Sequence, residues 1–289
     1  MPPFGPLCAL ADRHCATACP HSGHRCIGQC RCRHAWPGLP DPSGCGDSLS
    51  IAENHLIELL PRRDRQRLLA LCEPTSLVLA QVLCEPLEPM RHVYFPTVGF
   101  VSLVSMIEGS PGVEVGMVGR EGMLGAHLVL EVVTAPSRAL VQGAGAAWRV
   151  EVGPFRRELG RSAALQRSLK RYLYVLMMQL ATSAACLRFH QVGPRLARWL
   201  LMSQDRAHAD SFAVTQEFLA YMLGVRRVGI TAAAVLLQQR GLIEYHRGAM
   251  HVLDRAGLEA AACGCYLADC ATYARTIGRR ATNLLIGDS

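Results

Sequence analysis

Two groups of residues have the types and spacing to do chemistry. The first is Arg226-Arg227, followed by Val228, Ile230 and Thr231 and preceded at some distance by Thr215 and Gln216. An arginine fork matches O6 and N7 of guanine, and an aliphatic or threonine methyl can pack on thymine. Side chains that open a helix, such as Thr215 and Gln216, suit phosphate oxygens. Between positions 218 and 243 no acidic side chain would repel a duplex. The second group is the thirteen cysteines. Cys8, Cys15, Cys19, Cys26, Cys30, Cys32 and Cys45 crowd the N-terminus beside His14, His21, His24 and His34. Soft ligands in that number could hold an iron–sulfur cluster or zinc. Their spacing, Cys15-x3-Cys19 and Cys26-x3-Cys30-x-Cys32, is not the two-residue gap that tight knuckles prefer.

Residues 1–48 are also rich in Pro and lack apolar periodicity, so they cannot build a packed core. The favoured reading is an inert, disordered leader, or upstream sequence included by a start placed too early, with the true start near Leu49. A metal site and a thiol switch are the competing readings. No cofactor is expected, and the metal set is none. Cys263, Cys265 and Cys270 fall in an expected C-terminal helix; two residues apart, Cys263 and Cys265 face different sides there, which favours buried small hydrophobes over one metal site.

The elements that would position the arginines follow from the pattern. Asn54 can cap a short helix, and 61–71 reads as a second with Leu68, Leu69 and Leu71 inward. From 75 to 152 come short β-rich runs at 76–79, 81–84, 92–95, 99–104, 113–118, 138–142 and 147–150. Turn signals separate them at Glu85-Pro86, Pro96, 109–112 and 143–145. Many short strands so spaced argue for a sandwich, barrel or jelly roll. From 161 to 190 there is no Pro or Gly, and Leu165, Leu169, Tyr172, Leu173, Leu176, Leu180 and Leu187 recur at three and four, which predicts one long helix. Its length suggests that part of the stripe meets a second copy of the chain. The uncharged run 172–187 is shorter than the roughly 20 residues of a membrane span.

A helix at 195–202 leads to the sharpest signal. Thr215 can cap a short amphipathic helix that ends at Gly224, and a second helix runs from 225 to 240 before Gly241. Two helices joined by a tight Gly-containing turn form a helix-turn-helix, whose second helix can lie in the major groove. Behind it, 242–246 and 249–253 flank Arg247-Gly248 as a β-hairpin wing.

This order of parts resembles the Crp/Fnr superfamily of bacterial transcription regulators over about residues 51–260. The strings that carry the likeness are His92-Val-Tyr-Phe-Pro with Gly99-Phe-Val-Ser-Leu-Val, Val115-Gly-Met-Val-Gly-Arg-Glu-Gly-Met-Leu-Gly125, Arg195-Leu-Ala-Arg-Trp-Leu-Leu-Met and Thr215-Gln-Glu-Phe-Leu-Ala-Tyr-Met-Leu-Gly-Val. The resemblance implies an α+β chain with an N-terminal β-roll (jelly-roll) sensor domain, a long dimerisation helix and a C-terminal winged helix-turn-helix. The domains are then a leader at 1–48, the roll at 49–160, the dimer helix at 161–191, the DNA-binding domain at 192–260 and a tail at 261–289. It also implies a homodimer on an inverted-repeat, double-stranded DNA operator, a small-molecule effector of unknown identity, contact with RNA polymerase, a cytoplasmic location and no membrane partner.

The departures from the superfamily are informative. The effector pocket maps onto Gly122, Met123, Leu124, Gly125, Arg138 and Ala139. Met123 stands where cyclic-nucleotide binders carry a ribose-holding glutamate, and Ala139 replaces the serine beside the phosphate arginine, so tight cyclic-AMP binding is not expected. Leu87 occupies the position of a turn glycine, and Val228 that of a frequent recognition-helix glutamate.

The net charge of +7 does not mark the DNA-binding part. The excess sits on 161–191, with five basic residues and no acid, while 192–260 carries only eight basic against six acidic residues. No Walker loop, Gly-x-Ser-x-Gly or His-Glu-x-x-His occurs, and Gly116-Met-Val-Gly-Arg-Glu-Gly122 lacks phosphate-loop spacing. An enzyme is not expected.

Overall fold

Asn54 accepts hydrogen bonds from the Leu56 and Ile57 amides and so caps α1 (His55–Glu58), satisfying donors that a helix start leaves free. A computed structural model describes residues 54–108, 112–246 and 248–278 of the chain. The N-terminal cysteines and histidines, the 109–111 turn, Arg247 and the end of the tail lie outside the described residues. In α2 (Arg62–Leu69) Leu68 is buried, whereas Leu71 falls beyond the helix and is exposed. Leu71 is therefore not the inward residue that the sequence suggests.

Five strands follow: β1 (Glu73–Leu77), β2 (Val82–Cys84), β3 (His92–Ser105), β4 (Val113–Val118) and β5 (Arg138–Glu151). They form one antiparallel sheet in the order β1-β5-β3-β4, with β2 also on β5. The four short runs at 92–95, 99–104, 138–142 and 147–150 are thus two long strands. Pro96 and the glycines at 143–145 mark register slips, between Pro96 and Val98 and between Val98 and Phe100, in place of turns. Such bulges bend a strand without ending it. Gly99, at φ +78°, lies so close to the Gly143 carbonyl that no side chain fits.

The expected long helix forms in one piece, preceded by a separate shorter helix. α3 (Val152–Arg161) stops at Ser162, whose hydroxyl accepts the Leu165 amide at 3.0 Å and starts α4 (Ala163–Phe189) in a new direction. α5 (Val192–Ala207) leads through β6 (Ser211–Ala213) into α6 (Gln216–Met222), α7 (Arg227–Gln239), β7 (Ile243–His246) and β8 (Ala249–Val252). The wing is a three-stranded antiparallel sheet, β6-β8-β7, with one more strand than its hairpin signal shows. Beyond it come α8 (Arg255–Ala261) and α9 (Cys265–Thr276), so the expected tail contains a helix that packs on α4.

Two cores matter for positioning. In one, Leu56, Ile57, Leu68, Val93, Phe95 and Phe155 of the roll close around Leu165, Leu169 and Tyr172 of α4. In the other, Trp199, Leu219, Ile230, Leu237, Met250 and Leu258 join Phe100 and Met117 of the sheet. Each fully buried side chain of this kind contributes about 1.5–3 kcal/mol, so α4 and the helix-turn-helix are both anchored to the roll.

Candidate nucleic-acid interface

The helix-turn-helix is built by local chemistry. Thr215 Oγ1 accepts the Phe218 amide at 3.1 Å and caps α6. Gly224, at φ +59°, turns the chain, and the Val225 amide returns to the Ala220 carbonyl at 2.9 Å. Arg226 is extended and precedes the first turn of α7, which Arg227 begins. Thr231 Oγ1 lies 2.7 Å from Gln216 Oε1 and 3.1 Å from the Arg227 carbonyl, which fixes α7 against α6. Tyr245 donates its hydroxyl to the Val214 carbonyl at 3.0 Å and ties the wing to the start of α6.

One face of α7 is open. Arg226, Arg227 and Thr231 are exposed, and Val228 is 71% exposed, an unusual placement for a valine unless it serves a surface. Ile230 is corrected: it is fully buried and belongs with Ala233, Ala234 and Leu237 on the inward stripe. Thr215 is exposed and Gln216 partly so, and both side chains already hold helix ends together.

The arginines of the Arg195-Leu-Ala-Arg-Trp string face inward. Arg195 donates to the Leu223 carbonyl at the end of α6, and Arg198 pairs with Asp269 of α9 at 2.7 Å. Arg206 pairs with Glu121 at 2.8 Å, both buried, and joins α5 to the loop after β4. Arg255 pairs with Asp205 at 2.8 Å, and Tyr266 donates to the same carboxylate at 2.9 Å. Burial raises the Asp205 carboxyl above its usual range, and Arg255 opposes that shift.

The expected effector-pocket residues are packed and fall on two cores, Met123 on one and Leu124 with Ala139 on another. Met123 is fully buried against the core that holds Tyr172, and a Cβ on Gly122 would collide with the Tyr172 ring. Leu124 pairs with Tyr94 across a bridge, Gly125 is left-handed, and Ala139 is fully buried. Arg138 Nε donates to Glu85 at 2.9 Å. A separate cavity of about 40 Å³ lies between α4, α5 and α9, beside Tyr172, Gln179, Met202 and Tyr273. That is room for water and far below the hundreds of Å³ of a drug-sized ligand site.

Part of the stripe on α4 is also corrected. Leu165, Leu169 and Tyr172 are buried inside this chain, and Leu173, Leu176, Leu180 and Leu187 are half-buried. The outward apolar face is Tyr174 (48% exposed), Met177 (56%), Ala181, Ala184 and Ala185. The 27-residue α4 is long and apolar enough to cross a bilayer by composition, more so than the uncharged run 172–187 suggests. It nevertheless commits one face to the roll, where Gln179 Oε1 accepts the Met117 amide at 3.3 Å.

Comparison with known proteins agrees with this geometry. Residues 194–261 match the Crp-like helix-turn-helix domain. No curated protein matches the chain. Among solved structures, the c-di-GMP responsive global regulator CLP of Xanthomonas campestris is similar with a TM-score of 0.55 at 17% identity, over 66% of this chain and 99% of that one. FixK2 from Bradyrhizobium japonicum gives 0.55 at 14% identity, over 66% and 98%. A transcriptional regulator of the CRP family from Thermus thermophilus gives 0.53 at 19% identity, over 65% and 96%. At these identities the likeness is one of fold.

Proposed function

We propose that this chain, whose helix-turn-helix domain is Crp-like and whose fold is that of Crp/Fnr-type transcription regulators, is a homodimeric regulator that reads a specific operator with α7. The observation that carries the reading is the exposed face Arg226, Arg227, Val228 and Thr231, held rigid through the Gln216–Thr231 contact. The two arginines suit guanine edges and Val228 a thymine methyl, while Thr215 and Gln216 lie where phosphates pass. The second copy docks on the outward face of α4 around Tyr174 and Met177, placing two α7 helices on half-sites about one helical turn apart. The regulator works in the cytoplasm, where RNA polymerase is available as a partner, and it carries no catalytic step.

The roll responds to an effector other than cyclic AMP, or to none. Support comes from Met123, which buries a thioether where a sugar hydroxyl would need a carboxylate, and from Arg138, already paired with Glu85. Titrating the full-length chain against DNA from upstream of its own gene, with a shuffled duplex as control, tests the main reading. Specific binding is expected to exceed the control by about 10³-fold or more at physiological salt. Equal affinity for both duplexes would overturn it.

A further inference from the structure

Four side chains unrelated to the DNA-reading face converge where α4 ends and α9 begins. Cys186 and His190 lie one turn apart at the end of α4, so both point to the same side. Cys263 and Cys265 come from the junction of α8 and α9. Ala262 is extended and Gly264 is the cap of α9, so the pair is not on one helix and both thiols reach the end of α4. That local break leaves Cys265 and Cys270 on the expected helix and Cys263 outside it. The four ligand atoms all lie within 4.8 Å of one another. Cys186 Sγ is 3.6 Å from Cys263 Sγ, and Cys265 Sγ is 3.5 Å from His190 Nδ1.

We propose that Cys186, His190, Cys263 and Cys265 form a structural zinc site that staples the C-terminal segment to the end of α4. Three cysteines and one histidine are a tetrahedral structural zinc set. Zinc–sulfur bonds of about 2.3 Å and zinc–nitrogen bonds of about 2.0 Å imply edges of about 3.8 Å between sulfurs and about 3.6 Å from sulfur to nitrogen. The Cys186–Cys263 and Cys265–His190 edges match those lengths. Three thiolates around a divalent ion leave one negative charge, and Arg195 and Arg198 face the Cys186–Cys263 pair to offset it. Arg198 is itself fixed by Asp269 and by Ser183 Oγ at 3.2 Å, and the Cys263 amide is held by the Pro194 carbonyl at 3.3 Å. Cys186 and Cys263 are buried, whereas His190 is exposed and Cys265 half-exposed, so an ion enters from that side.

The test uses the full-length chain with Cys8, Cys15, Cys19, Cys26, Cys30, Cys32 and Cys45 changed to serine, so that the N-terminal thiols cannot contribute metal. Elemental analysis after reducing purification is expected to find about one zinc per chain. Replacement by Co(II) should give intense tetrahedral d–d bands and thiolate charge-transfer absorption. Cys265→Ser, at a half-exposed position, should lower bound zinc below about a tenth of an ion per chain while circular dichroism is unchanged. In the chain with Cys265 intact, zinc should protect Cys186, Cys263 and Cys265 from alkylation, and chelation should expose them. Absence of zinc, zinc retained in a Cys265→Ser, His190→Ala double variant, or a Cys186–Cys263 disulfide persisting under reduction would each overturn the proposal.

Discussion

Single residues decide what this chain can read. Arg227→Ala is expected to relax preference at one base position and to cost about 1–3 kcal/mol, a contrast that a randomised-operator binding assay resolves. Uniform weakening on every sequence would mean that Arg227 touches only phosphate. A buried histidine and a half-buried glutamate give the molecule opposing pH responses. His55 is lowered to about 4, first by burial and then by the Arg120 guanidinium, whose Nε donates to its Nε2 at 3.1 Å. The unfolded chain takes up that proton more readily, so stability is lost as pH falls from about 6.5 toward 4, on the order of 1–3 kcal/mol. Glu114 is raised to about 7 by burial, opposed by the Ser102 hydroxyl at 2.6 Å. Its native form holds the proton, so its contribution fades as pH climbs from 4.5 to 7. Thermal melts across pH should show His55→Phe flattening the acid limb and Glu114→Gln removing the loss toward neutrality. Residue types alone single out Arg226 and Arg227, because exposed cations at a helix start need no tertiary knowledge. They do not single out the thiol and imidazole cluster, whose members are 77 positions apart along the chain at Cys186 and Cys263.

At the scale of elements, caps and turns are the legible part. Asn54, Thr215 and Gly224 act where the sequence puts them because their interactions span only a few residues. Strand breaks are not legible in the same way, since Gly and Pro mark bulges as readily as turns and only the pairing partner decides which. Leu87 keeps the left-handed turn of the roll, at φ +66°, without a glycine. Leu87→Gly should therefore stabilise by up to about 1 kcal/mol, read as a rise in melting temperature, since a non-glycine residue in that conformation costs about that much. Glu121→Ala is expected to act in the other direction. It strips Arg206 of its buried partner and should cost about 3–5 kcal/mol, measured by chemical denaturation. An effect below about 1 kcal/mol would show that water or another carboxylate replaces the lost pair.

For the whole molecule, the apolar period of α4 is visible in the sequence but its division between inside and outside is not. A stripe at three and four tells that a helix has a buried face; the roll, absent from a helical wheel, takes Leu165, Leu169 and Tyr172. The apolar face left exposed, on which the proposed second copy would dock, is centred on Tyr174 and Met177. Met177→Glu should shift the protein from dimer to monomer in analytical ultracentrifugation and weaken operator binding at least about tenfold, because each half-site would then be held singly. The same substitution should leave the stability of the monomer within about 0.5 kcal/mol, as it lies on the surface. A dimer that persists would move the interface elsewhere.

Glu121 is where three parts of the chain meet. Its carboxylate holds Arg206 of α5, and its carbonyl receives the Tyr273 hydroxyl of α9 at 2.8 Å. Asp269 and Tyr266 of the same helix anchor Arg198 and Asp205. The segment after Ala261, beyond the match to the helix-turn-helix domain, thus ties α5 to the loop after β4. Truncation at that homology boundary would strand two buried guanidinium and carboxylate networks with missing partners. The domain that matches known DNA readers and the unit whose buried ion pairs are complete therefore end at different residues in this protein.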